Sequence, residues 1–148
     1  MIEIATCSFG EFKPEMGMPV RASVGAPKWF THPHACWPNV YPQRHWLQLP
    51  YDQYLPRYLD MLDAHGPQKL RDDLEAMATT FKQNYGGDRP TRAVLLCYEK
   101  LSKVLPNNEP NWCHRSFLAE WLSFKLGVDV VELGAPLPAS IDPDPTLF

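Results

Sequence analysis

The stretch RAVLLCYEKLSKVLPNNEPNWCHRSFLAEWLSFKLGVDVVEL, residues 92–133, decides the fold. It predicts a strand at 93–97, a turn-rich loop, a helix at 115–126 and another strand at 128–133. The continuous apolar run AVLLC is typical of a central strand that is covered on both faces. Because a strand, a helix and a strand in this order favour parallel pairing, the stretch indicates an α/β fold.

The chain upstream of this stretch supplies further strands and helices. We expect strands at 2–6 and 19–24, where short apolar or alternating segments are bounded by turn residues. We expect helices at 51–65 and 68–85, where apolar residues recur three and four positions apart. The sequence therefore predicts a Rossmann-like three-layer sandwich, a mostly parallel sheet with helices on both faces.

Length and composition limit the classes of protein to consider. A chain of 148 residues fits one domain, and we predict a single α/β domain at 1–134 followed by a proline-rich tail at 135–148. The net charge of −3 gives no general attraction to nucleic acid. No apolar run approaches the ~20 residues that span a bilayer, and no secretory signal is visible. We therefore expect a cytoplasmic protein without a membrane partner, whose four cysteines are thiols, ligands or catalytic groups rather than disulfides.

The polar residues of the opening stretch follow the predicted central strand or begin the predicted helix. Ligands of open parallel α/β sheets bind beyond the carboxyl ends of the strands, so these residues should meet there. As catalytic candidates the sequence offers Cys113, His114, Glu99 and Cys97. As anion-binding candidates it offers Arg115 and Ser116.

The start of the predicted helix favours negative charge. Its unpaired N–H groups and partial positive charge suit an anion, and the guanidinium of Arg115 suits phosphate or carboxylate. The same position should lower the pKa of Cys113 and increase its thiolate fraction. Structural alternatives remain open, because Cys97 also fits a buried hydrophobic position and Arg115 could pair with Glu99 or Glu120.

Residues 28–50, KWFTHPHACWPNVYPQRHWLQLP, are rich in aromatic residues, histidine and proline. The prolines argue against regular elements, so we predict an ordered loop at 28–46 that covers one end of the sheet. Its candidate lid or substrate-binding residues are Trp29, His32, His34, Trp37 and His45. The aromatic rings could instead form the loop's own core.

Metal binding is a further alternative for this loop. His32, His34 and Cys36 alternate along the chain and are ligand types that suit zinc, to which Cys97 and Cys113 could add thiolates. The sequence has no C-x-x-C pair. We therefore predict no cofactor and keep zinc as the alternative.

The segments LLCYEK at 95–100 and WCHRSFLAEWL at 112–122 resemble the signature of the domain of unknown function 488 family. The first strand, VRASVGAP and the YDQYLPRYLDML helix are also similar to that family, so the resemblance covers about residues 1–133. It implies a compact α/β domain from prokaryotes or their phages, without implying a particular reaction. The family's motif positions correspond to Cys97, Glu99, Cys113, His114 and Arg115.

Two functions are consistent with these patterns. The first is a small enzyme acting on a phosphate-bearing or nucleotide- or nucleic-acid-related substrate, with Arg115 holding the anion and Cys113 acting as nucleophile or acid/base. The second is a non-catalytic binding module that engages a host protein or nucleic acid through the aromatic loop 28–46. The sequence alone does not decide between an enzyme and a binding module.

Overall fold

The computed structural model describes residues 2–88, 90–98 and 113–134. Within them one sheet has the strands β1 (Glu3–Ser8), β2 (Met18–Arg21), β3 (Ala35–Cys36), β4 (Arg92–Cys97) and β5 (Val130–Glu132). Their order is β3-β2-β4-β1-β5, and every neighbouring pair is parallel. The α-helices are α1 (Tyr51–His65), α2 (Pro67–Tyr85) and α3 (His114–Leu126). The predicted α/β fold with a parallel sheet is therefore confirmed.

Three predicted features lie outside the described residues. They are the catalytic candidate Glu99, the part of the turn-rich loop at 99–112, and the proline-rich tail at 135–148.

One face of the sheet carries the larger core. Ala93 and Leu95 of β4 point to this face, as the alternation of side chains along a strand requires. All three α-helices pack there, through buried residues that include Tyr58, Leu62, Leu70, Leu74, Leu118 and Leu122. Among the described residues, no helix is long and apolar enough to cross a membrane.

The opposite face of the sheet carries a smaller core. Val94 and Leu96 of β4 point to it and meet rings from the connecting segments, chiefly Phe9, Phe12 and Phe30. The connection from β1 to β2, which includes the 3₁₀ helix Pro14–Met16, contributes to this layer. We predicted helices on both faces of the sheet. In the described part of the chain the α-helices lie on one face, and 3₁₀ structure and loops cover the other.

The helix boundaries follow local sequence signals. α1 ends at His65 and is capped by Gly66, whose φ of 86° is unfavourable for residues with a side chain. Pro67 then occupies the first turn of α2, where its missing N–H costs no hydrogen bond. Both helices match the predicted ranges to within a residue.

The segment at 28–50 is more regular than predicted. It contains β3 and the 3₁₀ helices Pro38–Val40 and Arg44–Gln48, so the expectation of no regular element was wrong. β3 is tolerated beside prolines because it is a two-residue edge strand that pairs only with β2. Trp37, Val40 and Trp46 of this segment are buried in the larger core.

Candidate functional site

Three predicted site residues meet where β4 ends and α3 begins. Cys97 is the last residue of β4, Cys113 is the N-cap residue of α3, and His114 is its first helical residue. Nδ1 of His114 lies 3.5 Å from Sγ of Cys97 and 3.9 Å from Sγ of Cys113. The two sulfurs and a ring nitrogen all lie within 4.8 Å of one another. We call this group the Cys–Cys–His cluster.

A backbone carbonyl determines the orientation of the His114 ring. Nε2 of His114 lies 2.8 Å from the carbonyl oxygen of Ala22. A carbonyl oxygen can only accept a hydrogen bond, so Nε2 must carry a hydrogen. Sγ of Cys97 lies 3.8 Å from Nε2 as well, so it contacts both ring nitrogens, whereas Cys113 contacts Nδ1. Because Nε2 donates to Ala22, Nδ1 is the nitrogen that is left to accept a proton from a thiol or, in an imidazolium ring, to donate one to a thiolate. The ring edge also packs against Tyr58, with the ring centroids 5.5 Å apart.

The cluster is almost completely enclosed. The exposed fractions are 4% for Cys97, 3% for Cys113 and 6% for His114. Burial raises the pKa of the Cys97 thiol well above its usual value, and its contact with Cys113 raises that pKa further.

The pKa of the Cys113 thiol shifts in the opposite direction. Burial alone would raise the pKa of Cys113, but hydrogen bonds from Cys97 and His114 and the charge of His114 outweigh burial and hold the pKa well below its usual value. The position at the N-terminus of α3 favours a thiolate in the same direction. Of the two sulfurs, Cys113 is therefore the one whose surroundings favour the thiolate, and Cys97 is the one whose surroundings favour the thiol.

Arg115 has an internal partner. The residue has 0% exposure, and its Nε and Nη2 lie 3.0 and 3.3 Å from the two carboxylate oxygens of Glu132. Glu132 also accepts hydrogen bonds from Oγ1 of Thr6 and the backbone N–H of Gly134. We predicted that the Arg115 guanidinium would contact the anionic group of a ligand; here it contacts the carboxylate of Glu132. This ion pair connects α3 to β5.

The backbone N–H of Ser116 is also hydrogen-bonded within the chain. Its N–H donates to the carbonyl oxygen of Cys113 at 2.9 Å, which closes the first turn of α3. The anion-binding roles predicted for Arg115 and Ser116 stay predictions.

The five lid candidates are dispersed. Trp29 is 63% exposed, whereas Trp37 is buried and donates from Nε1 to Asp73 at 2.9 Å. His32 and His34 pack against Phe30, and exposed His45 packs against Trp46. Within the described ranges none of the five shares a hydrogen bond or ring contact with the Cys–Cys–His cluster.

The potential metal ligands that converge in the structure are not the loop residues that the sequence suggested. Among the described residues, the only group of three or more potential ligands with converging atoms is the Cys–Cys–His cluster, which could hold a metal ion. His32, His34 and Cys36, the loop ligands considered for zinc, do not join it.

Two partners of the site residues were missed from the sequence. Glu132 carried a signal, because it is an acidic residue at the end of an apolar strand, VVE. Ala22 carried none, since it acts through its backbone carbonyl. Its own N–H donates to the carbonyl oxygen of Leu96 at 3.0 Å, which fixes Ala22 beside the end of β4.

Comparisons of the chain with protein-family models, curated proteins and solved structures found no match. The resemblance to the domain of unknown function 488 family stays a prediction that depends on the quoted motif.

Proposed function

We propose that the protein is a cysteine-dependent enzyme whose nucleophile is the thiolate of Cys113. The observation that carries the proposal is the convergence of two sulfurs and an imidazole nitrogen within 4.8 Å at the end of the parallel sheet. A nucleophilic cysteine needs a neighbouring group that stabilises its thiolate and a base whose orientation is fixed by a third group. His114 meets both needs, because Ala22 holds the far side of its ring.

The opposite pKa shifts of the two sulfurs support this assignment of roles. Cys113 has a lowered pKa and Cys97 a raised one. Titratable pairs whose environments separate their pKa values are frequent in active sites, where one member is the base or nucleophile and the other keeps its proton. Cys97 is accordingly the proton-bearing partner that hydrogen-bonds to the nucleophile.

A phosphate-bearing or nucleotide-like substrate has weaker support than the nucleophile. The sequence favours such a substrate because Arg115 and the start of α3 could hold an anion. Arg115 instead contacts Glu132, and the Ser116 amide contacts Cys113. The proposal therefore depends on the sulfur chemistry and not on a phosphate.

Alkylation of the metal-free protein tests the proposed nucleophile. Protein treated with a chelator is exposed to a small alkylating agent from acidic to alkaline pH, and labelling of each cysteine is followed by peptide mass spectrometry. The midpoint of the Cys113 profile should lie well below that of Cys97, since only a thiolate reacts. Exposed Cys36 provides an internal reference for reagent quality. Equal midpoints for Cys97 and Cys113 would overturn the assignment.

Zinc is a second use for the same cluster, favoured by a specific observation. Ligands of a tetrahedral zinc ion at usual bond lengths have sulfur and nitrogen atoms about 3.6 Å apart, close to the observed 3.5 and 3.9 Å. Zinc-bound histidines also donate their other N–H to a carbonyl or carboxylate, as His114 does to Ala22. Three protein ligands would leave one position for water or substrate, which is typical of catalytic zinc.

Cobalt substitution tests this use directly. One equivalent of Co²⁺ should give thiolate-to-cobalt charge-transfer absorption, because two sulfurs would be ligands. The Cys97→Ser and His114→Ala variants should weaken the absorption, and Cys36→Ser should leave it unchanged. Absence of the charge-transfer band in the reduced wild-type protein would exclude the Cys₂His site.

Within the aromatic loop 28–46, the exposed ring of Trp29 favours a non-catalytic binding module. Its indole is 63% exposed and lies at an edge-on angle to Phe30, so it could stack on a nucleobase or a partner's ring. Titration with a single-stranded oligonucleotide should then quench Trp fluorescence in the wild type and not in Trp29→Phe. A Cys113→Ser variant would bind normally under this alternative.

A further inference from the structure

We propose that Cys97 and Cys113 form a catalytic dithiol–disulfide couple that reduces small hydroperoxides. In this cycle Cys113 is the attacking sulfur and Cys97 the resolving sulfur. The inference rests on the proposed function, because it uses the same Cys113 nucleophile, and it adds the oxidant class and a role for the second cysteine.

The positions of the four cysteines single out this pair. All four are described and none is in a disulfide. Cys7 belongs to the smaller core on the opposite face of the sheet, and Cys36 is exposed at the edge strand β3. Only Cys97 and Cys113 have their sulfurs in one group. A disulfide has an S–S bond of about 2.05 Å, so the two sulfurs need to approach by less than about 3 Å.

The surroundings of the pair restrict the oxidant. With 4% and 3% of their surfaces exposed, the two cysteines cannot dock a bulky disulfide substrate without opening of the site. Hydrogen peroxide and short alkyl hydroperoxides are small and uncharged, so burial disfavours them least.

The first step oxidises Cys113. Its thiolate sulfur attacks the terminal oxygen of the hydroperoxide, an S–O bond forms and the O–O bond breaks. The electron pair of that bond leaves with the alkoxide, which takes the Nδ1 proton of the His114 imidazolium beside the thiolate and becomes an alcohol, or water when the oxidant is hydrogen peroxide. His114 is then neutral at Nδ1. The product on the protein is a Cys113 sulfenic acid, the first rung of cysteine oxidation.

The second step uses Cys97 and His114. Nδ1 of His114, 3.5 Å from Sγ of Cys97, accepts the thiol proton as that sulfur attacks the sulfenic sulfur. The S–S bond forms, the S–O bond breaks, and the departing hydroxide takes the proton back from His114 as water. A small external dithiol of the size of dithiothreitol, the class of reductant that burial disfavours least, then reduces the disulfide by two successive exchanges and is itself oxidised to a disulfide, which returns both cysteines to their reduced forms.

Oxidation of the full-length, reduced, chelator-treated protein by one equivalent of hydrogen peroxide tests the inference. We expect the intact mass to fall by two hydrogen atoms, two of the four thiols to disappear, and peptide mapping to locate one Cys97–Cys113 disulfide. With dithiothreitol present, peroxide should be consumed over many turnovers. In Cys97→Ser the Cys113 sulfenic acid should accumulate and react with dimedone, whereas Cys36→Ser should behave as wild type.

The outcomes separate this inference from the proposed function. If Cys113 alkylates at low pH but the wild-type protein forms no Cys97–Cys113 disulfide, the couple is refuted and the nucleophile stands. If neither occurs, both fail. The wild-type experiment needs no variant, so it decides the question even if the Cys97→Ser protein fails to fold. A disulfide that forms without turnover under dithiothreitol would refute the catalytic cycle.

Discussion

His114 donates a hydrogen bond from Nε2 to the carbonyl oxygen of Ala22 at 2.8 Å. This contact uses the hydrogen on Nε2 and leaves Nδ1, 3.5 Å from Sγ of Cys97 and 3.9 Å from Sγ of Cys113, for proton exchange with the sulfurs. Because Ala22 is itself hydrogen-bonded to Leu96 of β4, the sheet positions the imidazole before any substrate or metal arrives. Orientation of a reactive histidine by a backbone carbonyl is the arrangement that both nucleophilic catalysis and metal binding need.

The hydrogen on Nε2 of His114 gives the first prediction. A long-range ¹H–¹⁵N correlation spectrum should show Nε2 protonated across the pH range in which the protein is folded, because the Ala22 carbonyl can only accept. Exposed His45, recorded in the same spectrum, shows how a solvated ring of this protein behaves. An unprotonated Nε2 on His114 at any of these pH values would contradict the structure.

The thiolate of Cys113 predicts a pH dependence of stability in the metal-free protein. Its folded pKa lies below its unfolded value, so its contribution is fully present above the unfolded pKa, about 8.5, and is lost as pH falls through the folded pKa. Cys97 acts oppositely. Its folded pKa is raised, so its contribution is present below about 8.5 and is lost as pH rises through the folded pKa. Between the folded pKa of Cys113 and pH ~8, the free energy of unfolding should therefore rise.

Urea unfolding at a series of pH values checks this sign. The Cys113→Ser variant should lose the rise, while Cys36→Ser should keep it. A rise of the same slope in Cys113→Ser would assign the effect to other groups.

The pair formed by Arg115 and Glu132 predicts a coupling energy. Arg115 is fully buried and Glu132 about a third exposed, so removing either leaves the other with an imperfectly solvated charge. We expect Arg115→Met and Glu132→Gln each to lower the free energy of unfolding, and the double variant to lose less than their sum, by about 1–3 kcal/mol. Chemical denaturation of the four proteins in this cycle measures the coupling. Additive losses would show that the two side chains do not stabilise each other.

The same pair limits what Arg115 can do for function. The enzyme hypothesis based on the sequence predicts that Arg115→Ala removes anion binding and leaves the fold intact. With Glu132 as its partner, the substitution should instead lower stability first. An Arg115→Ala protein of wild-type stability that no longer binds inorganic phosphate would restore the anion-binding role.

Much of this arrangement could be predicted because it follows from local patterns and one rule of topology. The helical spacing at 51–65 and 68–85 and the apolar run at 93–97 determined α1, α2 and β4 to within about a residue. The meeting of Cys97 with Cys113 follows from the parallel sheet, since strands end and helices begin at the same edge. Those inferences need no knowledge of strand order.

The partners of the site residues could not be predicted in the same way. His114 and Arg115 are consecutive in α3, so their side chains point about 100° apart and must serve different neighbours. Which neighbours they meet depends on the order β2-β4-β1-β5, which puts Ala22 on one side of Cys97 and Glu132 on the other. The two-residue strand β3 was missed because no periodicity can be detected over so short a segment.

Gly17 gives the last prediction, because it joins the smaller core layer to the sheet. It precedes β2 with a φ of 139°, and a Cβ atom there would lie 2.6 Å from the backbone oxygen of Arg92. Alanine would meet both an unfavourable backbone conformation and a backbone atom that cannot rotate away. We expect Gly17→Ala to lower the free energy of unfolding by about 3 kcal/mol or more.

Gly87 is the matched control, since its φ is 75° and a Cβ atom there would have no described neighbour within 4 Å, so Gly87→Ala should cost only about 1–2 kcal/mol. Urea denaturation of the two variants separates strain alone from strain with a clash, and equal losses would mean that the approach of Gly17 to Arg92 does not constrain the start of β2.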